Sequence, residues 1–183
     1  DHQGHLRCHR CGRAGGGEHL TIQIDSREQK FDHIKSQLDR MGVKHFVSKL
    51  PVGDYISLDN ARLAIDRKQN LQELCGNICQ QHERFRRELE RARDLGIHLV
   101  FLVEHSRSIR TLSDVRHWKN PRLSVSPYAL NGPALYQRLV AIENRYGTTF
   151  HFCDKSRTGE MIVELLENNG RPYQITIGKG EKS

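Results

Sequence analysis

The sequence lacks any apolar segment close to the roughly 20 residues that a membrane-spanning helix requires. No charged and then apolar signal segment opens it, so we expect a soluble protein in the cytoplasm of a bacterium or of a phage-infected host cell. Cysteine is scarce: five residues are an odd number and too few for a secreted disulfide scaffold, which favours a reducing compartment. Because the sequence begins with Asp1 and not with Met, we expect it to derive from a longer or processed protein.

A glycine-rich phosphate loop after a strand is missing as well. The triplet Gly15–Gly17 precedes the first predicted strand and lacks the Lys and the Ser or Thr of a nucleotide-binding loop. We therefore expect no nucleotide cofactor. The triplet ends a segment rich in Gly, His and Cys, and we predict a flexible appendage over residues 1–19 and one folded domain over residues 20–183.

The appendage contains regularly spaced residues of metal-ligating type. His5, Cys8 and Cys11 lie three residues apart, and a Cys-x-x-Cys pair is typical of one half of a zinc site. His2 extends the spacing, but no second Cys-x-x-Cys pair follows downstream. A Zn²⁺ knuckle and a flexible or tag-like segment are both open interpretations of this region.

Basic residues outnumber acidic ones across the chain. Lys and Arg total 29 against 22 Asp and Glu, which gives a net charge of +7 over 183 residues. This balance favours a polyanionic partner, although charge alone does not distinguish a nucleic acid from an anionic membrane surface.

Strand and helix patterns alternate in the predicted domain, which is typical of an α/β fold with a mixed central sheet flanked by helices. The apolar run at residues 97–104 predicts a strand buried on both faces. Apolar residues between Leu71 and Gly96 predict one long helix, or two helices separated near Gly76. The other predicted elements are strands near residues 20–25, 44–49, 55–58, 62–66 and 148–153, helices near 31–41, 112–118 and 133–146, a helix over 158–169 capped by Thr158, and a weak strand from Pro172.

Three residues within the segment 53–68 form the pattern with the most chemical content. Asp54 lies at the start of one strand, and Asp66 and Lys68 lie two residues apart on the next. Because strand side chains alternate, Asp66 and Lys68 point to one face of the sheet and Arg67 to the other. Two carboxylates suffice to hold Mg²⁺ with its waters, and an ammonium offsets charge in a phosphodiester transition state. Asp-x-Lys alone is common on solvated surfaces, but here it follows a buried strand, where charge is costly unless it is used.

Neighbouring motifs make this pattern more specific. Ile24-Asp-Ser-Arg-Glu28, Leu50-Pro-Val-Gly-Asp-Tyr55 and Ile65-Asp-Arg-Lys68 occur in that order, before the apolar strand Leu99–Glu104. This succession resembles the XPF-type nuclease domain, which has the restriction-endonuclease-like fold, and the segments beginning at Gln69 and Arg84 resemble its compact phage and prophage members. The resemblance implies an endonuclease that uses Mg²⁺ or Mn²⁺ to hydrolyse phosphodiester bonds in branched or otherwise structured DNA.

The resemblance also implies roles for individual residues. Asp54 and Asp66 would bind the metal, and Lys68 would be the catalytic lysine. The main-chain carbonyl of Arg67 would complete the metal shell, with its side chain supporting the site. Asp66 departs from the family pattern, which has Glu at this position, and shortens the reach of the carboxylate by one methylene.

Residues farther from the central motif receive less definite roles. The resemblance implies that Asp25 and Glu28 are acids that bind the metal directly or lie behind its ligands, and that Arg27 is a structural or phosphate contact. A family acid four residues after the lysine falls at Gln72 here, with Glu73 adjacent, so that role stays unassigned.

Two basic groups are candidates for DNA contact. Arg84, Arg87 and Arg91 share one side of the predicted long helix and could hold a phosphate backbone, but interleaved glutamates equally favour a solvated, salt-bridged face. The region 107–122, with Arg116, Lys119 and Arg122 around Trp118, fits a flap whose aromatic ring stacks on a base. Trp118 as a core anchor for this region is the alternative.

The sequence therefore predicts a metal-dependent DNA endonuclease. A catalytically silent DNA-binding module and a metal-dependent RNA nuclease are the alternatives, and the intact trio of Asp54, Asp66 and Lys68 argues against the first of these. Related nuclease domains pair through their helices, so the resemblance also implies a homodimer. Its candidate surfaces are the helices at Pro133–Tyr146 and Thr158–Asn169, whose apolar stripes equally fit a core.

Overall fold

The computed structural model describes residues 20–173. The predicted appendage, with His5, Cys8 and Cys11, lies outside the described residues, as does most of the segment after Pro172. The predictions of a zinc site and of a flexible linker therefore stay predictions. Within the described part of the chain, no helix is long and apolar enough to cross a membrane.

The described residues form six strands and five α-helices. The strands are β1 (Thr21–Ile24), β2 (Lys44–Val47), β3 (Tyr55–Ser57), β4 (Asn60–Lys68), β5 (His98–Glu104) and β6 (Thr149–Cys153). The helices are α1 (Asp32–Arg40), α2 (Leu71–Cys79), α3 (His82–Asp94), α4 (Gly132–Tyr146) and α5 (Thr158–Glu167). Short 3₁₀ helices occur at Leu112–His117, Pro121–Ser124 and Lys155–Arg157.

All six strands join one mixed sheet in the order β2-β1-β3-β4-β5-β6. β3 is antiparallel to both β1 and β4, whereas β2 is parallel to β1, and β4, β5 and β6 are parallel to one another. β3 and β4 form an antiparallel hairpin, with Tyr55 opposite Ile65. β5 is an interior strand that pairs with β4 on one side and β6 on the other and is covered on both faces, which explains its long apolar run. The predicted α/β class is confirmed.

Helices cover both faces of the sheet. Ala64 belongs to a core formed with α2, α3 and α4, whereas the next residue, Ile65, belongs to a core formed with α1 and α5. We name these two sides the α3 face and the α5 face. Because side chains alternate along β4, Asp66 and Lys68 lie on the α3 face and Arg67 on the α5 face. The end of β4 therefore contributes side chains to both layers of the fold.

Three local predictions are corrected by the structure. The segment between Leu71 and Gly96 forms two helices, but they are separated at Gln80 and Gln81, and Gly76 lies inside α2. The residue that precedes α5 is Arg157 and not the predicted cap Thr158. The Thr158 hydroxyl is buried and donates to Oε1 of Glu104 instead (2.8 Å). Pro172 and Tyr173 are not part of a strand.

Burial decides two alternatives that the sequence left open. Trp118 is only 8% exposed and packs in the core of the α3 face, so it anchors its region and does not offer a ring for stacking. The apolar stripes of α4 and α5 also belong to the cores: Leu135 and Leu139 pack on the α3 face, and Ile162 and Leu165 on the α5 face. These stripes are therefore not free surfaces for dimerisation.

Candidate active site

The loop before β3 fixes the position of Asp54. Gly53 has a φ of +70°, and a Cβ at this position would lie 3.0 Å from Cβ of Ala64 and 3.1 Å from the carbonyl oxygen of Ile65. The N–H of Asp54 donates to that same carbonyl (2.8 Å), and the carbonyl of Asp54 accepts from the N–H of Asp25 (2.7 Å). Asp54 is therefore tied to the end of β1 and to β4.

The side chain of Asp54 is held by a further backbone contact. Its Oδ2 accepts a hydrogen bond from the N–H of Arg67 (2.8 Å). This contact joins Asp54 to the residue between Asp66 and Lys68. The three residues predicted to form the catalytic pattern thus come from adjoining strands at one end of the hairpin.

Asp66 and Lys68 form an ion pair on the α3 face. Nζ of Lys68 lies 2.7 Å from Oδ1 of Asp66, and the two residues are 8% and 3% exposed. The Lys68 ammonium also lies 5.7 Å from the ring centre of Phe101 and 6.0 Å from that of Phe85. These aromatic rings keep it out of bulk water while their faces favour its positive charge.

The electrostatics of the three groups are coupled. The pKa of Asp54 is raised well above its usual range, first by burial and then by the negative charges of Asp66 and Glu28. Burial lowers the pKa of Lys68, but the charge of Asp66 and its hydrogen bond outweigh burial, so that the pKa lies above the ordinary value. Lys68 therefore keeps its proton at neutral pH, and a further positive charge near Asp54 would favour the ionised form of that carboxyl.

The donor set fits a hard divalent cation better than a soft one. Asp54 and Asp66 supply carboxylate oxygens, the ligand type that Mg²⁺ and Mn²⁺ prefer. Among the described residues, no group of three or more His, Cys, Asp or Glu side chains is arranged to hold a metal ion. Mg²⁺ usually retains several waters and takes only one or two protein carboxylates, so an incomplete cage is compatible with it.

Arg67 extends away from this pair, into the α5 face. Its Nη2 donates to Oε1 of Glu28 (2.6 Å) and to the carbonyl of Gln29 (2.7 Å), and its Nη1 lies 3.4 Å from Oε2 of Glu104. The side chains of Arg67, Glu28 and Glu104 are 1%, 6% and 5% exposed. Buried charges of this kind must be paired, and here one guanidinium serves two carboxylates.

Two further side chains complete this network. Nε2 of His33, at the start of α1, lies 2.6 Å from Oε1 of Glu104, and the hydroxyl of Thr158 donates to the same oxygen. Sequence reasoning assigned no role to His33 or Glu104, and it predicted Thr158 only as a helix cap. Glu104 could have been noticed in the sequence, because an acid that ends a nearly all-apolar strand needs a partner.

Asp25 is engaged by its own neighbours. Its Oδ1 accepts from the N–H of Leu50 (2.7 Å), and its Oδ2 accepts from Nε of Arg27 (2.7 Å) and from the N–H of the same residue. Arg27 also donates from Nη2 to the carbonyl of Leu50 (3.0 Å), although its side chain is 59% exposed. These contacts connect the end of β1 to the loop that carries Asp54.

Helix α3 adds an acid that sequence reasoning missed. Glu88 is half-buried beside the buried residues Phe85 and Leu89. It lines a cavity of about 170 Å³ together with Lys68, Phe85 and Arg84; Glu73, Asn77 and Gln81 complete the lining. Its pKa is raised, first by burial and then by the charge of Asp66. The sequence did not single out Glu88, because glutamates and arginines alternate along α3 and this pattern is typical of a solvated face.

The predicted DNA contacts are spread over two surfaces. Arg84 is exposed at the rim of the cavity beside Lys68, and Arg87 and Arg91 are exposed farther along α3. Arg116 stacks over the ring of Tyr136 (4.9 Å), Lys119 is exposed, and Arg122 lines a separate cavity. That second cavity also contains Gln72 and lies between α2 and residues 120–130.

Comparisons with known proteins agree with this arrangement. The sequence model of the ERCC4 domain matches residues 24–165. XPF from Aeropyrum pernix is similar in structure, with a TM-score of 0.58 and 20% identity over 82% of this chain and 65% of that one. XPF from the same organism in complex with DNA has the same TM-score, with 19% identity over 85% of this chain and 68% of that one. This chain thus spans about two thirds of the length of either structure, and no curated protein sequence matched it.

The structural likeness confirms the predicted nuclease-type fold, a six-stranded mixed sheet flanked by helices. The family match includes the motifs at Glu28, Asp54 and Lys68 and ends within α5. Because the match covers most of the sequence, the resemblance to XPF-type nuclease domains is confirmed, and the chain belongs to the ERCC4 domain family.

Proposed function

We propose that this chain is a divalent-cation-dependent DNA endonuclease whose catalytic groups are Asp54, Asp66 and Lys68. The observation that carries the proposal is the convergence of two carboxylates and a buried ammonium at one end of the β3–β4 hairpin. Membership of the ERCC4 domain family supports a nuclease. The net charge of +7 supports a polyanionic substrate, as does the DNA complex of the similar XPF structure.

Each of the three groups has a distinct task in this proposal. Asp54 and Asp66 hold Mg²⁺ or Mn²⁺, with the main-chain carbonyl of Arg67 as a further ligand. When bound, such a cation polarises the phosphoryl group and lowers the pKa of a water molecule. Lys68 stays protonated and stabilises the negative charge that develops on the phosphate in the transition state. Its aromatic surroundings strengthen that interaction by lowering the local dielectric constant.

The remaining acids and arginines of the motif have positioning tasks. Glu28 and Glu104 fix the guanidinium of Arg67 and hold the end of β4, on which Asp66 and Lys68 are mounted. Asp25 fixes Arg27 and Leu50 and thereby the loop that leads to Asp54. We therefore place Asp25 and Glu28 behind the metal ligands and not among them.

Arg84 is a predicted DNA contact that shares a cavity with Lys68. Exposed arginines farther along α3 extend the positive surface in one direction, and a phosphate backbone can follow it. We propose that this side of α3 holds the strand that is cut, and that the substrate is branched or otherwise structured DNA.

The test is cleavage of labelled duplex, single-stranded, flap and four-way-junction DNA, and of matched RNA, with Mg²⁺, Mn²⁺ or EDTA. We expect metal-dependent cleavage of DNA that is lost in Asp66→Asn and Lys68→Ala. The matched controls are Asp59→Asn, in the exposed turn of the hairpin, and Lys49→Ala, which is also exposed.

Each alternative gives its own result in this assay. Binding without cleavage under every metal would identify a catalytically silent DNA-binding module. Cleavage of RNA in preference to DNA would identify an RNA nuclease. Cleavage that persists in both catalytic variants would overturn the assignment of the site.

A further inference from the structure

The segment between Trp118 and Gly132 is held at both ends. Trp118 is buried in the core of the α3 face, and a Cβ on Gly132 would lie 2.6 Å from the carbonyl oxygen of Trp118, so the two ends of the segment are in contact. Between them, Nδ2 of Asn120 donates to the carbonyl of Leu130 (2.8 Å), and its Oδ1 accepts from the N–H of Arg122 (3.0 Å). The segment is therefore a loop that is closed at its base.

The middle of this loop presents apolar side chains to solvent. Tyr128 is 94% exposed, Val125 is 81% exposed and Leu123 is 39% exposed. The backbone that carries them includes the 3₁₀ helix at Pro121–Ser124. Exposed apolar side chains that are grouped on one structured loop are typical of a surface that binds a partner.

The charge around these side chains favours a polyanionic partner. Residues 115–130 include three basic side chains, Arg116, Lys119 and Arg122, and no acidic residue. All three basic residues are exposed, as Tyr128 is. Basic groups beside an exposed aromatic ring are the combination that binds single-stranded nucleic acid, because the bases stack on the ring while the cations hold the phosphates.

Helix α2 connects this loop to the proposed catalytic groups. Side chains of α2 line both the cavity beside Lys68 and the second cavity, which Tyr128 also lines. Directly after α2, the side-chain amide of Gln80 lies 2.6 Å from Nη1 of Arg122 and ties the loop to the helix. Because an α-helix with its side chains is about 10–12 Å wide, a DNA strand can reach both cavities within a few nucleotides.

We propose that Tyr128, with Val125 and Leu123 on the same loop, forms a stacking surface for unpaired bases in a single-stranded arm of the DNA substrate. Inside a duplex each base face is covered by its neighbours, whereas an unpaired base exposes a face on which an aromatic ring can stack. The exposed basic residues of the loop hold the backbone of the same arm. The inference rests on the proposed function, because it takes DNA as the substrate, but its surface lies outside the catalytic groups.

The experiment measures, by fluorescence anisotropy in EDTA, the binding of labelled single-stranded, flap and duplex DNA to the full chain. Tyr128→Ala should weaken the binding of single-stranded and flap DNA about 5-fold or more, the size expected for the loss of one base–ring stack. Its binding of duplex DNA should be unchanged. Tyr128→Phe keeps the ring and should bind as the wild type does. The matched control is Phe46→Ala, which removes a 41% exposed ring from the edge strand β2 and should change no affinity.

Three results would overturn the inference. They are equal binding of single-stranded DNA by the wild type and Tyr128→Ala, an equal loss for single-stranded and duplex DNA, and a Tyr128→Ala variant that differs only in self-association by sedimentation. Because Tyr128 is almost fully exposed, its variants should melt at the wild-type temperature.

Cleavage assays keep this inference separate from the proposed function. If the wild type cleaves flap DNA and Tyr128→Ala binds and cleaves it equally well, the inference fails and the proposed function stands. If binding depends on Tyr128 but no metal supports cleavage, the proposed nuclease activity fails and the inference stands.

Discussion

Arg67→Met is the substitution with the largest expected effect outside the proposed catalytic trio. The guanidinium is 1% exposed and lies between Glu28 and Glu104, so its removal leaves two buried carboxylates without their cation. Removing one partner of a buried pair costs about 3–5 kcal/mol. Since whole domains are stable by about 5–15 kcal/mol, the variant should be folded but marginal.

Urea denaturation followed by circular dichroism measures this loss. With a dependence of about 2 kcal/mol per molar urea, the midpoint should fall by about 2 M. Arg62→Met is the matched control, because Arg62 lies on the same strand but is exposed. Its stability should change by no more than about 0.5 kcal/mol. Adding Glu104→Gln to Arg67→Met should recover part of the loss, because one of the two stranded charges is removed.

The result that would refute this reasoning is equal stability of Arg67→Met and Arg62→Met. The two carboxylates would then not depend on the guanidinium, and the network on the α5 face could not be what holds the end of β4. A loss in Arg67→Met that Glu104→Gln makes worse would point to a role for Glu104 independent of Arg67, for example through His33.

Three further predictions concern the residues around the site. Gly53→Ala should cost at least about 1–3 kcal/mol in thermal stability because of its positive φ and the nearby backbone, and more than Gly42→Ala, where φ is +69° but no atom lies within 4 Å. Asp25→Asn should lower the urea stability by about 1.5–3 kcal/mol at pH 7. That difference should shrink below about pH 4, because the pKa of Asp25 is lowered in the folded protein. The benefit of the Asp25 charge is present above the pKa of an unfolded Asp and is lost as the pH falls through the lower folded value. Tyr55→Phe should be neutral or stabilising by urea denaturation, because the buried hydroxyl has no hydrogen-bond partner among the described residues; a loss above about 1 kcal/mol would reveal a partner.

The relative positions of Asp54, Asp66 and Lys68 could be predicted because two simple rules determine them. Alternation along β4 separates Asp66 and Lys68 from Arg67, and pairing of the hairpin brings Asp54 beside them. Both rules act over a few residues, so they can be read from the sequence. The interior strand β5 was equally clear, because a continuous apolar run fits a strand that is buried on both faces.

The positions of Glu28, Glu88 and Trp118 could not be predicted from the sequence, because they depend on contacts between distant segments. Whether Glu28 faces the metal site or the α5 face depends on the path of residues 25–31 after β1, and no periodicity describes such a turn. Glu88 is one of several glutamates on α3, and only the packing of that helix on Phe101 distinguishes it from its exposed neighbours. Trp118 lies in a region without periodicity, where burial depends on which elements fold over it.

The sequence separation of the contacts around Glu104 has a consequence for the chain during synthesis. Glu104 joins His33, which is 71 residues earlier, to Thr158, which is 54 residues later. A ribosome adds about 5–20 residues per second, so Lys68 emerges several seconds before Thr158 exists. During that interval Asp54, Asp66 and Lys68 have been synthesised, but Thr158, the last hydrogen-bond partner of Glu104, has not. A chain interrupted before α5 would therefore carry every motif acid and the lysine, yet lack one hydrogen-bond partner of Glu104 in the network that holds the end of β4.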